Sequence, residues 1–182
     1  MICGKVVGER TIVRDKVVFR YPKFEDYGEL LGYINEVVSE GAYLNTMKKK
    51  SKKEEIEFVA EMLKKCENRQ IVCLVAEVNG KVSGMANVDK LREAEAHAGT
   101  LGIALRKNAR GKGIGKLLME TVIFEAKKSL KIEIVVLEVF AENERAIALY
   151  KKLGFRKFGT LKNGLKRRGK YSDKIMMAKH LN

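Results

Sequence analysis

Apolar positions along this chain switch between two periods, and the switches mark its elements. Val17 to Tyr21 is a short apolar strand. Tyr27, Leu30, Leu31, Ile34, Val37 and Val38 recur at helical spacing, which predicts an amphipathic helix over 25–40 with Gly41 as its C′ residue. Ser51 and Glu54 form a capping-box pattern ahead of Ile56, Val59, Ala60 and Leu63, predicting a second helix over 52–66. Ile71–Val78 and Lys81–Asp89 read as strands joined by Asn79-Gly80, a type I′ hairpin signal. His97–Leu105 is a further strand, and its Gly99 and Gly102 mark a bulge or a close backbone approach. A glycine turn leads into a helix ending near Lys128, with Ile114, Leu118 and Val122 on one stripe. Ile132–Phe140 is almost continuously apolar and reads as a central strand covered on both faces. A helix over 143–153 is closed by Gly154. Phe155–Leu161 and Tyr171–Lys179 then read as two strands joined by a basic loop containing Asn163-Gly164. The order β-α-α-β-β-β-α-β-α-β-β describes one mixed α/β domain over 1–182.

Composition narrows the function classes. No apolar run approaches the ~20 residues needed to cross a bilayer, and the first residues lack the apolar core of a secretory signal, so a cytoplasmic protein is expected. Cys3, Cys66 and Cys73 show no zinc-ligand spacing, and the two histidines lie far apart, so no metal is expected. The net charge of +14 fits an anionic ligand, nucleic acid, an acidic partner or a lysine-rich solvated surface. Nucleic acid is disfavoured, because no helix-turn-helix, RNP-type aromatic pair or zinc-finger spacing is present.

The most informative stretch is the glycine turn. Gly111, Gly113 and Gly115 allow a ligand close to the backbone at the start of a helix, where free N–H groups make an anion site. Arg110, Lys112 and Lys116 add positive charge. A Walker A loop needs Gly-x-x-x-x-Gly-Lys-Ser/Thr, which is absent. A Rossmann fingerprint needs Gly-x-Gly-x-x-Gly after a first strand, and here Gly-x-Gly-x-Gly comes late. The spacing that fits is Arg-x-x-Gly-x-Gly, carried by Arg110, Gly113 and Gly115.

This spacing resembles the pyrophosphate-binding motif of the GNAT family, the acetyl-CoA-dependent N-acetyltransferases. Residues 138–155 strengthen the resemblance. Asn143, Ala146, Leu149, Tyr150, Gly154 and Phe155 are similar in order to the family's Asn-x-x-Ala-x-x-Leu-Tyr-x-x-x-Gly-Phe block. The resemblance covers about 70–180, and the helices over 25–66 match in type and place. It implies a central, mostly antiparallel sheet with helices on both faces and one splayed strand pair.

The resemblance also implies roles for particular residues. Residues 110–116, Ile114 included, would hold the pyrophosphate of acetyl-CoA, and the backbone of Ile103, Ala104 and Leu105 would pair with its pantetheine arm. Tyr150 would protonate the departing thiolate. A phenol suits that task because it donates a proton yet is neutral at pH 7. Asn143, seven residues earlier on the same helix face, would touch the cofactor; read from the residues alone, it is also a good N-cap. His97 is the preferred base for the amine, with Glu93 and Glu95 behind it. The expected reaction is direct attack on acetyl-CoA by an amine of a small molecule or protein, without a metal. A homodimer is compatible with the sequence. The alternative is a basic module that binds nucleic acid or CoA without catalysis. Lysines 48–53 and the basic loop over 162–170 point to an acidic acceptor or to solvated charge.

Overall fold

The central strands are built from β-branched apolar runs and the helices from capped amphipathic stretches. In a computed structural model that describes residues 3–43 and 46–181, these assemble around one eight-stranded sheet. The strands are β1 (Val6–Ile12), β2 (Asp15–Arg20), β3 (Ile71–Val78), β4 (Lys81–Lys90), β5 (Ala98–Leu105), β6 (Ile134–Phe140), β7 (Arg156–Arg167) and β8 (Lys170–His180). The helices are α1 (Tyr27–Ser39), α2 (Lys52–Glu67), α3 (Ile114–Leu130) and α4 (Glu144–Lys152). The spatial order is β1-β2-β3-β4-β5-β6-β8-β7, antiparallel throughout except between β5 and β6.

Local signals account for most boundaries. Ser51 Oγ accepts from Glu54 N–H, and Glu54 reaches back to Ser51 N–H at 2.7 Å, so the capping box starts α2. Asn79 and Gly80 both have positive φ, as a type I′ turn requires. Gly41 (φ +69°) ends α1, and its N–H donates to Val38 O. Gly154 (φ +88°) ends α4 in the same manner.

Two cores lie on opposite faces of the sheet. On one face, Ile114, Leu118, Met119 and Val122 of α3 pack on Leu74, Ala86, Val135 and Leu137. On the other, Leu30, Tyr33 and Val37 of α1 and Val59 and Met62 of α2 pack on Cys73, Val75 and Val82. Each fully buried large side chain stabilises the fold by about 1.5–3 kcal/mol. Beside the second core, the buried Arg20 guanidinium donates to both Asp26 oxygens (2.7 and 2.9 Å) and pairs with Glu77.

Four sequence expectations are corrected. The chain opens with an additional strand, β1, whose pattern is mixed because it is an exposed edge. Strand β6 is not covered on both faces. Val135, Leu137 and Val139 are buried, whereas Glu138 is exposed, because the second core lies over β3 and β4 rather than β6. Residues 162–170 are not a loop. Strand β7 continues to Arg167, the turn is Arg168-Gly169 with both φ positive, and Asn163 belongs to a bulge opposite Asp173. Finally, β4 and β5 pair without interruption, so of the two readings of the β5 glycines the bulge is overturned and the close approach stands. A Cβ on Gly99 would lie 2.7 Å from Val88 Cγ1, and one on Gly102 would lie 3.0 Å from Asn87 Oδ1. The bulge is in β4, where Ser83 falls between the partners of Ala76 and Glu77.

Candidate active site

Strands β5 and β6 run parallel but pair only at Ala98–Ile134, Gly99–Val135 and Thr100–Val136. Beyond Thr100 the two strands part and leave a wedge. Arg106 N–H donates to Ser83 O at 2.8 Å, which fixes the hydrogen-bonding phase of β5 against β4. The two-residue alternation of an antiparallel pair then turns the peptide groups of Leu101, Ile103 and Leu105 away from β4, toward the wedge. Side chains sort by face as well. Leu101, Ile103 and Leu105 join the α3 core, whereas Ala104 packs with the α1/α2 core.

Both motif segments begin at the open end of this wedge, because α3 follows β5 and α4 follows β6. Gly111 (φ +81°) and Gly113 (φ +84°) occupy the left-handed region, and Gly113 is the N-cap of α3. Leu117 N–H closes the first helical bond onto Gly113 O, so the N–H groups of Ile114, Gly115 and Lys116 aim out of the helix end. The Ile114 side chain lies in the core, leaving its peptide group for the turn. Gly115 lets α3 approach β5, where a Cβ would sit 3.3 Å from Leu105 Cδ1. This cradle of glycines and free N–H groups fits a phosphate-bearing ligand.

The basic side chains of the turn already have partners. Arg110 Nε and Nη2 donate to Leu105 O (2.9 and 2.7 Å), and the same guanidinium pairs with Glu40 at 2.8 Å. It therefore ties the end of β5 to the end of α1, and it occupies the Leu105 carbonyl. Lys112 pairs with Asp15 (2.8 Å) and Lys116 with Glu120 (3.8 Å). The Ala104 carbonyl accepts from the Tyr33 hydroxyl of α1 at 2.8 Å, so Ile103 offers the least engaged backbone of the three.

Asn143 is the N-cap of α4, its Oδ1 accepting from Ala146 N–H at 3.3 Å. Tyr150 is 8% exposed and stacks at a tilt on Phe155, with ring centroids 6.0 Å apart. Its hydroxyl bonds to no described residue, and burial alone pushes the phenol up to about 12. It is therefore a protonated donor with its hydrogen uncommitted.

His97 lies elsewhere. It is exposed, precedes β5, and sits on the closed side of the wedge, about 10 Å along the strand from Thr100. Its carbonyl accepts from Glu133 and Ile134 N–H, while its imidazole bonds to no described residue. Glu93 and Glu95 form an exposed 3-10 turn before it. Among the described residues no group of three metal-ligating side chains converges, and no helix is long and apolar enough to cross a membrane.

Sequence reasoning missed the contacts that tie α1 to the ends of β5 and β6. Buried Arg106 donates to Val82 O (3.0 Å), pairs with Glu36 and faces the Tyr33 ring. Tyr43, after α1, packs on Phe140 at the end of β6 (5.3 Å) and under Arg167 of the β7–β8 hairpin (5.1 Å). These partners are too distant in sequence for any local pattern to pair them.

The comparisons agree with this architecture. The acetyltransferase (GNAT) family model matches residues 39–155. The chain is 34% identical over 107 residues to the L-amino acid N-acetyltransferase AaaT of Escherichia coli, covering 58% of this chain and 66% of that protein. It is 34% identical over 90 residues to an N-alpha-acetyltransferase of Saccharolobus solfataricus, half of each chain. The chain thus spans half to two thirds of these curated relatives. A ribosomal-protein-alanine N-acetyltransferase from Brucella melitensis superimposes with a TM-score of 0.79 at 29% identity, covering 90% of this chain and 99% of that one. A Salmonella typhimurium acetyltransferase solved with acetyl-CoA shares the fold, at a TM-score of 0.80 and 20% identity. With most of its length inside the family model and its glycine turn at the mouth of a split sheet, the chain belongs to the acetyltransferase (GNAT) family.

Proposed function

We propose that the protein transfers an acetyl group from acetyl-CoA to an α-amino group, on an amino acid or at the start of a peptide. The observation that carries this reading is the wedge between β5 and β6, with the helix starts of α3 and α4 at its open end. The cosubstrate supplies an activated thioester. The N–H groups of residues 114–116 bind its pyrophosphate, aided by Lys112 and Lys116. The free backbone of Ile103 aligns the pantetheine arm as a further strand would. Asn143 fixes the start of α4, and Tyr150 gives its proton to the departing sulfur, the proton lost by the acylated nitrogen restoring the phenol through water. The attacking amine must be neutral. An α-amine, with an ordinary pKa of ~7.7–8.0, reaches that state near neutral pH, whereas a lysine-like amine at ~10.4 does not. Relatives are named for L-amino acids, for N-alpha groups and for ribosomal-protein alanine, which supports an acceptor of this class. The place of His97 on the closed side gives it no contact with Tyr150 or the glycine turn, so the proposal assigns it no step.

Thiol release from acetyl-CoA, measured against amino acids, short peptides and lysine side-chain analogues, tests the reading. Release with α-amines is the expected result. Release only with side-chain amines overturns the acceptor class, and tight CoA binding with no release overturns the transfer.

A further inference from the structure

A cavity of about 140 Å³ lies on the α1/α2 face of the sheet, under α2 and above β3 and β4. For scale, an engineered apolar cavity of ~150 Å³ holds benzene, so there is room for about six heavy atoms. Its walls are of two kinds. Phe58, Met62, Ile71 and Met85 are apolar, whereas Asn87 and Asp89 of β4 form a polar floor with Glu61 and Lys65 at the α2 side.

The charges do not cancel. Lys65 is paired with Glu61 at 2.8 Å. The thiols of Cys73, in the lining, and of Cys66, outside it, are pushed up by burial and stay neutral. Asp89 therefore carries the cavity's net negative charge, with Asn87 Nδ2 donating to it and Lys65 as the nearest opposing charge. Desolvation raises the Asp89 carboxyl, the expected sign for a half-buried carboxylate that lacks a full counter-ion. In a chain of net charge +14, this is a local site for a cation beside apolar surface.

The cavity also adjoins the wedge. Asp89 is opposite Thr100, the last β5 residue paired with β6, and Asn87 is opposite Gly102. Side chains on this face of β5 are small, with Thr100, Gly102 and Ala104 in alternation, while the large residues face α3. The Asn87 amide itself lies over Gly102, its Oδ1 3.0 Å from where a Cβ would stand, so the polar floor reaches across to β5. Directly opposite residues have Cβ atoms about 5.5 Å apart, so a group held at Asp89 lies one strand from the apex of the split.

We propose that this cavity is the docking site of the acceptor, taking an α-ammonium against Asp89 and a branched or unbranched apolar side chain against Phe58, Met62 and Met85. The proposal rests on the acetyl-transfer reading for its meaning, but not for its test. The docked ammonium loses one proton to water before it attacks, and acetylation then leaves an uncharged amide, so the product loses the Asp89 contact that held the substrate.

The experiment uses the full chain with 13C-labelled methionine methyl groups, the signals of Met62 and Met85 being assigned from Met62→Leu and Met85→Leu. L-Leucinamide at about pH 6.5, where its α-amine is protonated, is expected to shift both signals saturably. The buried Met119 and Met177 act as controls for the fold. Neutral N-acetyl-leucinamide is expected to leave both signals in place. Asp89→Asn is expected to weaken leucinamide binding at least tenfold, and Phe58→Ala, at the exposed rim, severalfold. Unmoved signals, or equal binding by Asp89→Asn with its control methyls unchanged, overturn the proposal. Thiol release is measured on the same preparation with acetyl-CoA added at about pH 8, where much of the α-amine is neutral. Release without movement of Met62 and Met85 refutes the docking site alone, whereas movement without release refutes the transfer reading alone.

Discussion

Tyr150→Phe removes one oxygen and leaves the ring. The ring is 8% exposed and packs on Phe155, so its apolar burial is retained. The hydroxyl has no partner among the described residues, so no protein hydrogen bond is broken and none is orphaned. The expected stability change is therefore within about 0.5 kcal/mol, against about 1–3 kcal/mol where a buried partner is stranded. Chemistry is expected to respond differently. Loss of a positioned proton donor costs about 10²–10⁴ in rate, and CoA affinity, set at the glycine turn, is expected to stay within about threefold. Ionisation of the phenol at about 12 keeps the donor protonated across any ordinary assay range. The raised pKa means that its contribution to stability is complete below the ordinary tyrosine value near 10 and is lost only as pH rises through about 12. The assay is single-turnover thiol release with saturating acetyl-CoA from pH 6.5 to 9, beside CoA titration calorimetry and a thermal melt. A variant that releases thiol at the wild-type rate refutes the assignment. So does a rate loss matched by an equal loss of CoA affinity, since Tyr150 would then be a binding residue.

Gly113→Ala meets no atom within 4 Å, so its cost is backbone strain at φ +84°, about 1–2 kcal/mol. A lowered thermal midpoint with at least tenfold weaker CoA binding is expected, and unchanged affinity would separate the turn from the cofactor. Asp26→Ala leaves the buried Arg20 with Glu77 as its one carboxylate partner and is expected to cost about 3 kcal/mol by denaturant midpoint. Ser51→Ala removes the capping box and is expected to cost about 1 kcal/mol in the same measurement, with CoA binding intact. Glu55 is buried, and desolvation raises its carboxyl, so its ionised form weighs against folding as pH rises through the folded-state pKa. Glu55→Gln is expected to raise the thermal midpoint at pH 7, with the gain vanishing at acid pH where both forms are neutral.

The sequence was most legible where one residue type has one structural meaning. Asn79-Gly80 gave its hairpin, Ser51 with Glu54 gave the start of α2, and Gly41 and Gly154 ended their helices. The glycine turn at the start of α3 and the helix that carries Tyr150 were legible as elements too, because a capping glycine and a capping asparagine each precede an amphipathic run. The errors share a cause. Strand β1 and the far half of the β7–β8 hairpin are held by backbone pairing at exposed edges, where no apolar alternation is required. The β5 glycines had two readings, and only the pairing of β5 with β4 separates them. Arg106 and Glu40 act through partners on other elements, which no local window contains.

The three pairs that join β5 to β6 have one further consequence. An unsatisfied strand edge ordinarily invites a neighbouring polypeptide, and with it aggregation. Here the edge is recessed between converging walls that meet at hydrogen-bonding distance by Thr100 and Val136. A polypeptide strand, with side chains projecting to both faces, meets those walls before it can pair along the full edge. A slender unbranched arm does not. The same splay that exposes Ile103 therefore acts as a sieve on molecular girth, admitting a thread while excluding a ribbon.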